Sequence, residues 1–226
     1  MKEAVVLLSG GMDSATLLHY VKRRLGVREI HALSFDYGQK HAKELSTARW
    51  QARSAKVKRH LIVDASFLKG LLEGGSALTD EAIPVPSLSQ LSKAARRQPP
   101  TYVPNRNMVF LSIAAAYAEA RGISDVFYGA HAQDEYGYWD CTGEFLGHIN
   151  RVLKLNRRTH VTIHMPFRRM KKVGVLKTGL GLGVDYSHTW SCYRGGSIPC
   201  GICPTCVDRA AAFRRISCAD PLTERA

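Results

Sequence analysis

The chain has 226 residues, 45% of them apolar, with 32 Lys and Arg against 19 Asp and Glu, a formal net charge of +13. That length and apolar share fit one compact unit with a substantial core and exclude a string of small modules, and neither an internal repeat nor a low-complexity tract breaks the pattern. The positive charge attracts polyanions in general, whether nucleotide, nucleic acid or anionic surface, without choosing among them. With no secretory leader and no long apolar segment in the sequence, a cytoplasmic, reducing location and no membrane partner are expected.

Residues 4–8, a nearly unbroken run of Ala, Val and Leu, read as a strand buried on both faces of a parallel sheet. The run that follows, Leu8, Ser9, Gly10, Gly11, Met12, Asp13 and Ser14, with Thr16 just beyond, has the composition of a phosphate cradle. Gly10 and Gly11 can both take positive φ and let backbone amides approach an anion, while Ser9, Ser14 and Thr16 offer hydroxyls. From Ser14 onward Ala15, Leu18, His19, Tyr20, Val21 and Leu25 recur at helical spacing. The loop therefore delivers its ligand to a helix N-terminus, where the macrodipole favours negative charge. Asp13 would oppose that anion unless a cation intervenes, so Asp13 is assigned to Mg2+ bound with a pyrophosphate. No Gly-Lys-Ser or Gly-Lys-Thr follows, which excludes a Walker A loop. A plain Gly-Gly turn with a Ser or Asp helix cap is the bland alternative.

Further along, residues 30–35 read as a second strand, 42–57 as a helix, 61–63 as a strand and 125–130 as a later strand. This alternation predicts an α/β fold, a doubly wound and mainly parallel sheet with right-handed crossovers and ligands beyond the C-terminal strand ends. Residues 9–14, 36–39 and 129–134 each follow such an end and should meet at one rim. Pro84, Pro86, Pro99 and Pro100 exclude a continuous helix over residues 74–104, which read as a mobile loop or lid. Arg106 stands at the entrance of an apolar helix over 108–120, where it suits bidentate capture of a phosphate or carboxylate; Asn105 is a candidate cap and Asn107 a bonder of loop backbone. Residues 128–134 and 136–141 join aromatic faces to Asp134 and Asp140, a combination suited to stacking a planar heterocycle whose ring N–H groups a carboxylate accepts. The basic runs 151–158 and 168–172 read equally well as solvated faces or as a functional patch.

Near the other end, Cys192, Cys200, Cys203 and Cys206 fall within fifteen residues as C-x7-C-x2-C-x2-C, enough thiolates to close one tetrahedral zinc site. Gly195, Gly196, Pro199, Gly201 and Pro204 supply turns between them, and Arg194 and Arg209 are candidates to offset thiolate charge. An iron–sulfur cluster, two disulfides or a redox pair are the rivals. Residues 1–185 thus read as a nucleotide-binding domain and 186–226 as a zinc-binding segment packed on it. Cys141 and Cys218 lie outside the array.

The loop resembles that of the N-type ATP pyrophosphatases, the PP-loop group, which release pyrophosphate and activate a substrate oxygen as its adenylate. Together with residues 101–107, 129–140 and 189–196 and the four cysteines, it resembles the 7-cyano-7-deazaguanine synthase family over nearly the full length. That resemblance implies an adenine nucleotide alpha hydrolase-like fold and a ligase that converts 7-carboxy-7-deazaguanine and ammonia into the nitrile, through an adenylated acid, an amide and a second activation. It implies ATP and Mg2+, structural Zn2+ on the four cysteines, a small-molecule partner with no requirement for nucleic acid, and a homodimer. Asp13 and Lys172 are the expected catalytic residues, and Arg106, Asn107, Asp134 and Asp140 the expected substrate contacts. In one departure, Gly174 stands where the family's Lys-x-Glu segment has its Glu. A tRNA-modifying thiolase with Cys141 as sulfur carrier, a related ligase in DNA modification or defence, and a noncatalytic zinc nucleic-acid binder are the competing classes.

Overall fold

The computed structural model describes residues 2–41, 43–134 and 137–223. Its five strands are β1 (Glu3–Leu7), β2 (Glu29–Asp36), β3 (Arg59–Asp64), β4 (Asp125–Phe127) and β5 (Thr162–His164). They pair in the order β3-β2-β1-β4-β5, every neighbour parallel. Because strand side chains alternate between faces, β1 sends Val5 into one core and Ala4 and Val6 into the other. β2 divides in the same way, Leu33 and Phe35 on the first face, Ile30 and Ala32 on the second. Both faces are covered, which is why β1 is apolar along its whole length.

The second face is covered by α1 (Met12–His19), which continues into a π-helical turn at Tyr20–Arg24, and by α2 (Lys43–Ser54). α2 is shorter than the expected 42–57, since Lys56 takes a left-handed φ of 49° just beyond it, and Ala42 lies outside the described residues. The short α3 (Phe67–Leu71) follows β3. α4 (Arg106–Glu119) and α5 (Gly143–Leu153) cover the first face, and α6 (Lys172–Gly181) and α7 (Pro204–Arg215) pack outside α1. Residues 74–104 contain no helix longer than Leu88–Gln90, as their prolines require. Ala77, Leu78, Val85 and Val103 of this segment are buried in the core beneath α4.

The sheet turns direction between β1 and β4, and a crevice opens at their C-terminal ends, the place where such folds bind ligands. β4 is only three residues long, against the six expected over 125–130. Gly129 passes so close to the first turn of α1 that a Cβ there would lie 3.5 Å from the Asp13 backbone, so the chain bends into the crevice instead of extending the ladder.

Candidate active site

A cavity of about 250 Å³ occupies this crevice. The three expected segments do meet there: Leu8, Ser9, Gly11, Met12, Asp13 and Ser14 from the first loop, Tyr37 from the second, and Gly129, Ala130 and Asp134 from the third. Arg106, Asn107 and Lys172 complete its polar wall.

In the first loop the hydroxyls hold the turn together. Ser14 Oγ accepts the Gly10 N–H at 3.1 Å, Ser9 Oγ accepts the Gly11 N–H at 3.2 Å, and the two hydroxyls lie 3.0 Å apart. The two glycines do different jobs. Gly10 has φ +90°, and a Cβ on it would lie 2.1 Å from the Glu44 carbonyl oxygen, so it is required for contact with α2 and does not line the cavity. Gly11 has an ordinary φ of −74°, correcting the expectation of positive φ at both positions. Thr16 is also displaced from its expected role: its hydroxyl donates to the Met12 carbonyl and lies 2.6 Å from the Tyr186 hydroxyl, fully buried on the far side of α1.

Asp13 Oδ2 accepts a hydrogen bond from Lys172 Nζ at 2.6 Å, and His131 Nε2 lies 3.8 Å from the same oxygen. Burial alone would raise the Asp13 carboxyl, but Lys172 and His131 outweigh it and hold it below its ordinary value. Burial opposes the Lys172 charge, and Asp13 and Asp134 more than restore it. Asp13 Oδ1 is buried without a hydrogen-bond partner among the described residues, an acceptor that suits a cation or a ligand donor. Asp134 accepts the His131 N–H at 2.9 Å, and burial pushes its carboxyl up.

Opposite, Arg106 opens α4 and donates through Nη1 to the Tyr37 hydroxyl at 3.3 Å and through Nε and Nη2 to Asn107 Oδ1. Burial raises the Tyr37 phenol to about 12, so it stays a neutral partner. Asn105 occupies the cap position with a left-handed φ of 53°, yet its side chain makes no capping bond. Asp140 is buried behind the cavity wall, where it accepts the Asn107 N–H at 3.3 Å. It supports the lining without forming it. Asn107 donates to the buried Cys141 sulfur at 3.4 Å, and burial pushes that thiol up, away from a reactive thiolate. Of the expected aromatic residues, Tyr128 and Tyr138 line the cavity, Trp139 is exposed outside it, and Tyr136 lies outside the described residues.

The ligand atoms of Cys192, Cys200, Cys203 and Cys206 all lie within 4.8 Å of one another, a donor set that fits one metal ion. The Cys200 and Cys203 N–H groups each donate to a neighbouring sulfur at 3.4 Å, and Cys203 and Cys206 sit at the N-terminus of α7, where the dipole favours thiolates. No cysteine is in a disulfide. The two arginines expected to balance thiolate charge are engaged elsewhere. Arg209 forms a buried two-pronged pair with Asp220 at 2.7 and 2.9 Å, and Arg194 donates to the Val85 carbonyl. The segment also closes the cavity: Trp190, Ser191, Tyr193 and Thr205 line it, and the Trp190 N–H donates to the Gly10 carbonyl at 3.0 Å.

Sequence reasoning passed over His41, Glu44, Trp190 and Tyr193 as individual lining residues. His41 and Glu44, three apart at a helix start, look like any solvated first turn. Of the two basic runs, Arg151, Arg157 and Arg158 are exposed away from the crevice, and from 168–172 only Lys172 enters it. Among the described residues no helix is long and apolar enough to cross a membrane.

A parallel sheet whose central strand ends in a glycine–serine loop, with an acid–lysine pair on one wall and an arginine on the other, defines an enzyme of the PP-loop class. Among solved structures, the U34-tRNA thiolase NcsA of Methanococcus maripaludis, described with its [4Fe-4S] cluster, superposes with TM-score 0.53 at 14% identity over 96% of this chain and 65% of its own, a likeness of fold. The chain is 47% identical over 219 residues to the 7-cyano-7-deazaguanine synthase of Caldicellulosiruptor saccharolyticus, covering 97% of this chain and 94% of that one. It is 46% identical over 221 residues to the enzyme of that name from Archaeoglobus fulgidus, covering 97% and 89%. The family described as queuosine biosynthesis protein QueC matches residues 3–217, and the chain belongs to it.

Proposed function

We propose that the chain is a ligase that uses ATP to convert 7-carboxy-7-deazaguanine and ammonia into 7-cyano-7-deazaguanine, releasing AMP and pyrophosphate. The observation that carries this reading is one cavity bounded by the Ser9–Ser14 loop and the Asp13–Lys172 pair on one side and by Arg106 on the other, in a chain of this family. In the reading, the loop amides and Lys172 hold the pyrophosphate of ATP, and Arg106 orients the carboxylate of the acid. A carboxylate oxygen attacks the α-phosphorus, the bond to pyrophosphate breaks, and the acyl adenylate forms. Ammonia then displaces AMP to give the amide. A second adenylation on the amide oxygen, with release of pyrophosphate, followed by loss of both nitrogen protons to water and departure of AMP with the C–O pair, leaves the nitrile. No side-chain nucleophile is required; alignment and charge neutralisation carry the acceleration.

Asp13, whose Oδ1 has no hydrogen-bond partner among the described residues, is assigned to Mg2+, which when bound would neutralise charge on the departing pyrophosphate. The four cysteines are assigned to Zn2+, since closing four sulfurs around one ion fixes the wall formed by Trp190 and Tyr193. Asp134 is the cavity carboxylate assigned to the heterocycle edge, with Asp140 supporting Asn107. A cytoplasmic location and a two-fold dimer belong to the same reading. The raised Cys141 thiol weighs against sulfur transfer.

The test is incubation of the purified protein with 7-carboxy-7-deazaguanine, ATP, Mg2+ and ammonium, following AMP, pyrophosphate, amide and nitrile by mass spectrometry. Nitrile formation coupled to AMP release is expected. ATP turnover without any deazapurine product would overturn the reading.

A further inference from the structure

The reaction above has a charge problem that its binding residues leave open: ammonia at neutral pH is mostly ammonium, which has no lone pair and cannot attack an acyl adenylate. Among the described residues, three carboxylates line the cavity, those of Asp13, Glu44 and Asp134. Asp13 is bonded to Lys172, and Asp134 accepts the His131 backbone and lies 3.5 Å from the His131 ring. Glu44 has no Lys or Arg partner among the described residues. Its Oε1 accepts from Gln39 Nε2 and stands 3.4 Å from His41 Nε2, and the His41 and Glu44 side chains are only 5% and 13% exposed.

The surroundings are built to keep this carboxylate in place. Gln39, itself pinned by accepting the Tyr37 N–H and donating to the Phe35 carbonyl, fixes one oxygen. His41 is buried, stacks at a tilt 5.5 Å from the Tyr193 ring, and has an Nδ1 with no hydrogen-bond partner among the described residues. The other titratable or charged groups facing Glu44 are Tyr37 from the loop after β2, Arg106 from α4 and Tyr193 from the cysteine segment, while its neighbour Lys43 turns its Nζ over the Trp190 ring. A nearly buried carboxylate with no Lys or Arg bond among the described residues, set beside aromatic faces, forms a site for a small cation.

We propose that Glu44 binds ammonium and takes its proton, with His41 as the positioning residue, so that neutral ammonia is released against the adenylate. This rests on the reaction proposed above. The N–H electron pair becomes the nitrogen lone pair as the proton passes to the Glu44 carboxylate. That pair forms the C–N bond, the adduct expels AMP with the C–O pair, and the nitrogen sheds a second proton to water as the amide forms.

Hydroxylamine, which is unprotonated at neutral pH, needs no such base and separates this role from simple positioning. In Glu44→Gln, amide formation from ammonium at pH 7 is expected to fall about 100-fold, in the range of a lost general base. The deficit should shrink as pH rises toward the ammonium range, while hydroxamate formation from hydroxylamine and acid-dependent pyrophosphate–ATP exchange persist. His41→Gln should show a smaller loss with the same pH signature. An ammonium rate unchanged in Glu44→Gln, or an equal loss with hydroxylamine, would overturn the proposal. Absence of acid-dependent exchange in the unaltered protein would instead sink the reaction on which it rests.

Discussion

Replacing Gly10 with alanine tests whether the two loop glycines are as different as their geometry says. At φ +90° an L-residue costs about 1–2 kcal/mol, of which stiffening of the unfolded chain returns roughly 0.4–1 kcal/mol. The new Cβ would also lie 2.1 Å from the Glu44 carbonyl oxygen, 2.5 Å from Thr47 Oγ1 and 2.7 Å from the Ala48 nitrogen. Two of these are backbone atoms of α2, so the loop and the helix must separate, an overpacking cost of about 1–3 kcal/mol. The net expectation for Gly10→Ala is a loss of about 1–5 kcal/mol in urea unfolding, with a raised KM for ATP because the Ser9–Ser14 loop shifts. Gly11→Ala is the control: at φ −74° its nearest contacts would be 3.3 and 3.5 Å, and stability should change by about 0.5 kcal/mol or less. Equal unfolding free energies for the two variants would refute the argument.

Asp220→Ala leaves the Arg209 guanidinium buried without its carboxylate and should cost about 3–5 kcal/mol, read as a shift in urea midpoint. The Asp13 carboxyl is held below its ordinary 3.8 in the folded protein. Its ionised form therefore stabilises the fold above that pH and loses the contribution as pH falls through its folded value, so the stability difference between the unaltered chain and Asp13→Asn should shrink under acid titration. Cys203→Ser should release the bound metal, measured as metal per chain by elemental analysis, and weaken ATP binding through the Trp190 and Tyr193 wall. Gly174→Glu should raise stability by about 0.5–1 kcal/mol, since a helix interior disfavours glycine and the first turn welcomes an acid. A Cβ there would meet only Met170 at 3.7 Å, which thermal melting can check.

The sheet was legible where strands are long or buried on both faces. β1 and β2 announced themselves because Ala4, Val6, Ile30 and Leu33 leave no polar face to confuse the pattern. β5, with exposed Thr162 and half-buried His164 around Ile163, is too short for periodicity to register. The Ser9–Ser14 loop and the cysteine array were readable because spacing alone brings their atoms together, whereas Lys172 was named through the family resemblance and meets Asp13 from 159 residues away. Asp140 and Thr16 misled for the converse reason: composition names a polar side chain, whereas only packing decides whether it faces a cavity or a neighbouring backbone. The pairing of Arg209 with Asp220 beyond the end of α7 depends on a chain path that no local pattern encodes, and so does the place of the i,i+3 pair His41 and Glu44 beside the cavity.

The hydrogen bond from the Trp190 amide to the Gly10 carbonyl joins positions separated by most of the chain. On a ribosome, the Ser9–Ser14 loop emerges first yet acquires this clasp only after nearly all remaining residues have been synthesised. The nascent sheet can therefore assemble well before the cavity rim is finished, and a chain stalled or cleaved ahead of Trp190 would carry a folded scaffold with an open Ser9–Ser14 loop.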